Sequence, residues 1–283
     1  MRPDVRIRER HGGRTLLRGN ADSVEFSLQS RLRRSFSSIS AQPAFCLRGG
    51  VHPAVTTGIT VLGLDSATDA CSAAVLCDGT LVAHRFECMR RGHAEVLMAL
   101  VQDVMQRAGL TFDALDLIAT TVGPGGFTGL RIGLASARGL ALAGQTPIVG
   151  VTTLEAVARA QPIVGMPTLI ALDSKRDDIY VQTFDSGRFP LCEPKAALPA
   201  EIETMLPAGD IAVGGNASDI ILQAMADRIP PLHKHDGPVL PDAAVVATIG
   251  AERMPAHASS RTAPPSPLYL RPPDAMLPSG RRK

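Results

Sequence analysis

Two short stretches of this sequence carry residue types that could handle an anion. The first, LGLDSATDACSAAV, places Asp65 at the end of an apolar run and Thr68 in the turn after it, ahead of a second apolar run. A carboxylate at a strand end can hold a metal-bound water, and the backbone amides of such a turn can cradle phosphate. Alone, the same spacing suits an ordinary hairpin, because Asp and Thr are common turn residues. The second stretch, VGPGGFTGLRIGLASARGLALAG, is a turn set by Gly123, Pro124, Gly125 and Gly126 that opens a helical pattern, with Thr128 placed to cap it. Unpaired amides at a helix start attract anions. No Gly-Lys-Ser/Thr follows, so the turn is not a P-loop. Asp65, Thr68, Gly125, Gly126 and Thr128 are therefore the candidate phosphate-facing residues. Farther along, Gly129, Gly133 and Ala137 recur every fourth residue, a face on which another helix backbone could approach closely. His93 opens a helical pattern without a second ligand at useful spacing, so it reads as structural, and Asp177 and Asp178 read as solvated turn residues.

Such groups act only if strands and helices hold them. ITVLGLD reads as a buried strand. CSAAVLC and TLVAHRF read as two strands joined by an Asp78-Gly79 hairpin, since Asp-Gly supplies the positive φ that such turns need. A helix is expected from about His93 to Ala108, with Val96, Leu97, Leu100, Val101, Val104, Met105 and Ala108 on one apolar stripe and Gly109 as its stop. DLIATTV is the next strand, followed by the helix Thr128–Ala143, the strand PIVGV and a helix starting at TTLEAVARA. Strands begin again at TLIALD, IYVQTF and DIAVGG, then comes a late helix, AAVVATIGAERM, and an extended Pro-rich tail, TAPPSPLYLRPPDAMLPSGRR. Two αβ units thus share one opening: strand, Asp, turn, strand.

Composition narrows the class. At 283 residues, 45% hydrophobic and 20% charged, the chain suits two modest globular domains. No apolar run is long enough for a membrane span, so no membrane association is expected and a cytoplasmic location is. The five cysteines (Cys46, Cys71, Cys77, Cys88, Cys192) form no C-x-x-C pair and read as buried thiols in a reducing compartment. Residues 1–57 hold ten arginines against four acids, +6, whereas 19 basic and 23 acidic residues leave the remainder at −4. That Arg/Ser-rich extension shares its composition with organellar transit peptides, and reads as a disordered leader or as sequence ahead of the true start. With no Trp and two Tyr, the body has few platforms for stacking bases, so contact with nucleic acid is expected to be indirect. The expected division is the extension, 1–57; a first αβ domain, 58–160; a second, 161–262; and the tail, 263–283.

The stretches ITVLGLDSATDACSAAV, RRGHAEVLMALVQDVM, TTVGPGGFTGLRIGLASARGLA, PIVGVTTLEAVA and PLYLR together resemble the bacterial TsaB (YeaZ) family, in the family's order, from about Ile59 to Arg271. The resemblance implies an α/β, two-domain actin/Hsp70-like (ASKHA, ribonuclease H-like) fold with mixed sheets. It implies a partner subunit of TsaD, the enzyme that puts threonylcarbamoyl on adenosine 37 of tRNA, with TsaE reached through the TsaB–TsaD complex and a homodimer in the absence of TsaD. TsaD carries an H-x-x-x-H metal motif where this chain has Thr153 and Val157, neither able to replace an imidazole ligand. TsaD's Ser-Gly-Gly phosphate turn is matched by LDSKRDDIY, with Asp173, Ser174 and Lys175 in place of the glycines. No catalytic residue, no metal and no cofactor are therefore expected in the isolated chain, ATP or ADP belonging to the complex with TsaD and TsaE. The other readings are an M22-type glycoprotease-like metallohydrolase and an actin-like small-molecule kinase or ATPase. The family's partner surface corresponds to the helices His93–Ala108 and Thr128–Ala143, giving Leu97, Val101, Val104 and Met105 on one, and Leu130, Gly133, Leu134 and Arg138 on the other, as candidate interface residues.

Overall fold

The computed structural model describes residues 58–254 and 264–271, all within one compact unit. Expectations for the extension, for Cys46 and for the rest of the tail lie outside the described residues. The chain opens with three antiparallel strands, β1 (Thr60–Thr68), β2 (Ala70–Cys77) and β3 (Thr80–Cys88). Asp78 and Gly79 both take positive φ, 53° and 73°, which matches the turn to the right-handed strand twist. Helix α1 (His93–Ala108) follows, ended by Gly109 at φ 66°. Then come β4 (Leu117–Gly123), α2 (Phe127–Gly144), β5 (Ile148–Thr152) and α3 (Thr153–Ala160), whose start is capped by the Thr152 side chain.

The second half repeats the plan with β6 (Thr168–Asp173), β7 (Ile179–Phe184), β8 (Lys195–Ala197), α4 (Pro199–Ile202), β9 (Ile211–Gly214), α5 (Ser218–Ala224), β10 (Leu232–Lys234) and α6 (Ala243–Glu252). The sheet orders are β3-β2-β1-β4-β5 and, read in the matching sense, β8-β7-β6-β9-β10. In each, the first strand sits centrally, antiparallel to the second and parallel to the fourth. A central strand is covered on both faces, which is why Val61, Leu62, Leu64 and Ala67 form a nearly continuous apolar run.

Two helices pack across the expected domain boundary. The α3 side chains Leu154, Val157 and Ala158 pack on Ile170, Leu172 and Phe184 of the second sheet, while Ala156 joins the first core. Helix α6 places Val246, Ala247 and Ile249 against Val61, Leu117 and Ala119 of the first sheet, although it ends the second repeat. The last helix of each repeat therefore lies against the other repeat's sheet, and the division at 160/161 cuts through a shared core. The cysteines also divide: Cys71 and Cys77 are buried, but Cys88 and Cys192 are exposed.

Candidate functional site

The two halves meet around a cleft of about 510 Å³. The β1–β2 turn, the start of α1, the start of α2 and the β6–β7 turn all line it. Thr68, Gly125, Gly126 and Thr128 of the sequence candidates reach it. Asp65 does not.

Asp65 is fully buried on the opposite face of β1. Its register partner Ser72 accepts a hydrogen bond from the Ala243 amide at the start of α6, and strand alternation puts both side chains on that side. The Oδ1 atom accepts from Thr121 Oγ1 at 2.7 Å and from the Ala67 amide at 3.2 Å, whereas Oδ2 has no hydrogen-bond partner. Burial pushes this carboxyl up to about 7, against the lowering effect of the Thr121 and Ala67 hydrogen bonds and with a small addition from Asp242. Asp65 is a buried carboxyl of the β1–α6 layer, corrected from a phosphate-facing one.

Thr128 is not the cap. Helix α2 starts one residue earlier, at Phe127, with Gly126 in the cap position and no side-chain cap. The glycines of the turn serve close packing. A Cβ on Gly125 would sit 2.2 Å from the Ala67 carbonyl oxygen, and one on Gly129 would sit 2.1 Å from that of Ser66. The Gly126 amide is spent on the Ala67 carbonyl at 2.8 Å, so it does not face an anion. Thr68 Oγ1 remains without a hydrogen-bond partner, and its carbonyl meets His93 Nε2 at 2.9 Å, which ties the start of α1 to the turn.

Across the cleft, the β6–β7 turn is filled by its own charges. Lys175, at φ 62°, places Nζ 2.8 Å from Asp69 Oδ2 and 3.1 Å from Asp173 Oδ2, and the Asp69 hydrogen bond chiefly holds its ammonium above the ordinary lysine range. An anion there would have to displace two carboxylates from the nearest cation. Asp178, expected to be a solvated turn residue, is instead paired with Arg271 of the tail and accepts from Ser174 Oγ at 2.7 Å. Thr153 and Val157 are wholly buried in α3. Among the described residues no group of three His, Cys, Asp or Glu side chains is placed to hold a metal ion. Arg90, Arg91 and His93, with Asp69 and Glu95, complete a rim of mixed charge.

The candidate interface residues point inward. Leu97, Val101, Val104, Met105, Leu130 and Leu134 are buried under their own helices. A Cβ on Gly133 would come within 2.7 Å of Ser66 Oγ, so Gly129 and Gly133 let α2 approach β1, not a second molecule. Only Arg138 is exposed, and it donates to the Pro265 carbonyl oxygen at 2.6 Å. The stripe periodicity that located the helices marked their core face. The exposed positions of α1 and α2 are Ala94, Ala99, Gln102, Ala135, Gly139 and Leu142, among others, together with the charged Glu95, Arg107, Arg131 and Arg138.

Four similarities to known proteins bear on this geometry. The family model described as TsaD, tRNA N6-adenosine threonylcarbamoyltransferase, matches residues 87–196. The chain is 37% identical over 147 residues to the Escherichia coli tRNA threonylcarbamoyladenosine biosynthesis protein TsaB, a match spanning 50% of this chain and 63% of that protein's own length. It is 33% identical to an uncharacterized Mycobacterium tuberculosis protein across 76% of this chain and 93% of the relative. The solved structure of YeaZ from Pseudomonas aeruginosa superposes with a TM-score of 0.63 at 28% identity, covering 75% of this chain and all of that one. The duplicated mixed sheets are those of the two-domain actin-like (ASKHA) fold.

Proposed function

The chain belongs to the TsaB/YeaZ family, and from that premise we propose that it is a non-catalytic subunit that binds and supports TsaD in threonylcarbamoylation of tRNA adenosine 37, acting in the cytoplasm. The observation that carries the reading is the pairing of whole-length likeness to YeaZ with a TsaD family match over residues 87–196. A chain built like an enzyme, with Thr153 and Val157 buried where that enzyme's metal-binding histidines belong, suits the role of a partner. The cleft supports the same conclusion, since Lys175 is engaged by Asp69 and Asp173 and the Gly126 amide by Ala67.

The outward face of α1 and α2 is the contact surface we assign to TsaD and, in its absence, to a second copy of this chain. Ala99, Ala135 and Gly139 project little there, and Leu142 is 82% exposed, so another helix pair could approach closely and cover an apolar side chain. TsaE is engaged through the resulting complex, ATP or ADP is bound there and not by this chain alone, and tRNA is met indirectly. Titration of the purified chain with the same organism's TsaD tests this. Leu142→Glu is expected to weaken binding at least about tenfold, or about 1.4 kcal/mol, while leaving the melting temperature near that of the parent. Absence of binding by the parent chain, or formation of threonylcarbamoyl-tRNA by this chain free of TsaD, overturns the proposal.

A further inference from the structure

The PLYLR motif ends the described tail, and nothing in the partner role accounts for it. Residues 264–271 run in extended form across both halves of the molecule. On the first half, the Leu268 amide donates to the Val122 carbonyl oxygen at 2.7 Å, and the Tyr269 ring stacks on Phe127 with centroids 5.8 Å apart. Arg131 closes this anchor, its guanidinium 3.7 Å from the Phe127 ring centroid and its Nε donating to the Tyr269 hydroxyl at 3.1 Å. The surface is shaped for the segment. A Cβ on Gly123 would come within 2.8 Å of the Leu268 carbonyl oxygen, and one on Gly150 would meet Pro265 at 2.9 Å as well as Val122.

On the second half, Arg271 is the anchor. Its guanidinium pairs with the Asp178 carboxylate, donates to Ser174 Oγ at 2.9 Å and lies 5.4 Å from the Tyr180 ring centroid. Phe127, Ser174 and Tyr180 all line the cleft. Two residues apart in sequence, Tyr269 and Arg271 thus grip opposite walls of one cleft. Lys175 and Asp69 make a second bridge between the same walls at 2.8 Å.

We propose that residues 264–271 are a built-in strap that sets the opening of the cleft, with Tyr269 fixed on the first half and Arg271 as the releasable end on the second. The arrangement explains why an Arg stands at the end of the motif: a planar guanidinium serves a carboxylate, a hydroxyl and an aromatic face together, which a lysine ammonium cannot. Loss of the Arg271 contact leaves Lys175–Asp69 as the remaining charged bridge described between the walls, and an exposed ion pair is a weak restraint.

Hydrogen–deuterium exchange on the full chain tests the strap. Arg271→Ala is expected to speed exchange about tenfold or more in residues 66–69 and 173–180, with the interior of both sheets as protected as in the parent. Asp178→Asn removes the charge partner from the other side while Ser174 and Tyr180 still meet the guanidinium; it is expected to give the same pattern at smaller amplitude, and carries the test alone if Arg271→Ala does not fold. Combining the two should add little. Unchanged exchange at the cleft in Asp178→Asn overturns the proposal. So does a rise spread evenly over both sheets, which would assign the segment to general stability.

Discussion

At the scale of single residues, two buried titratable groups shape stability against pH in opposite senses. Asp65 has its carboxyl raised from 3.8 to about 7 by burial, so the folded state binds its proton more tightly than the unfolded chain does. Its contribution is fully present below pH 3.8 and is lost as pH rises through 7, a change of about 4 kcal/mol at most. Asp65→Asn keeps an acceptor for Thr121 and Ala67 without a charge. It should raise the melting temperature at pH 8 by several degrees and change it little at pH 4, as thermal unfolding at the two pH values would record. His235 works the other way. Buried beside the Arg188 guanidinium at 3.4 Å and Thr168 Oγ1 at 3.2 Å, with Asp236 opposing, it is held below the ordinary value of 6.5 chiefly by desolvation and then by Arg188. Its contribution is fully present above 6.5 and is lost as pH falls through the lowered folded value. His235→Gln should flatten this acid limb of the stability curve; an unaltered limb would remove His235 as its source. None of this was legible in the sequence, where Asp65 read as a strand-end carboxylate and His235 gave no signal. Depth of burial depends on what packs above a residue, and for Asp65 that is α6, about 180 residues later in the chain.

At the scale of elements, the glycines of α2 divide by what lies beside them. Gly129 and Gly133 face Ser66, and Gly139 faces open space. Gly129→Ala should therefore destabilise the chain by roughly 1–3 kcal/mol, because backbone atoms of β1 must move. Gly139→Ala should stabilise it by roughly 0.5–1 kcal/mol, because a helical alanine loses less conformational freedom on folding. Urea unfolding of both variants separates the cases, and equal effects would mean that the α2–β1 approach is looser than described. For the same reason Gly133→Leu should chiefly lower the melting temperature. The sequence made the every-fourth-residue spacing plain but left open whether the approaching backbone belonged to the same molecule. Ser66 decides it, since its Oγ also donates to the Gly129 carbonyl oxygen at 2.9 Å.

At the scale of the whole molecule, the described fold begins at the strand start, where the Asp78 amide meets the Ile59 carbonyl oxygen at 3.0 Å. Because residues 1–57 carry no periodic apolar pattern in their sequence, a chain beginning at Gly58 is expected to fold with the melting temperature of the full chain and to bind TsaD equally. Insolubility of that shorter chain, or loss of the partner, would give residues 1–57 a structural role. Legible in the residues alone were the alternation of strands and helices, both helix stripes, the Asp78-Gly79 hairpin and the repeated opening of the two units. These are written in local periods and turn chemistry that need no distant partner. Not legible there were β8, β10 and the short helices α4 and α5, whose three to seven residues are too few to show a period. Tertiary structure alone decided that α3 and α6 lie on each other's sheets, that Asp65 points away from the cleft, that the helix stripes are core, and that the tail crosses between the halves. The physical reason is common to all four. An apolar stripe or a strand-end carboxylate states that a side must be covered, but which surface covers it is settled only when elements far apart in the chain are packed together.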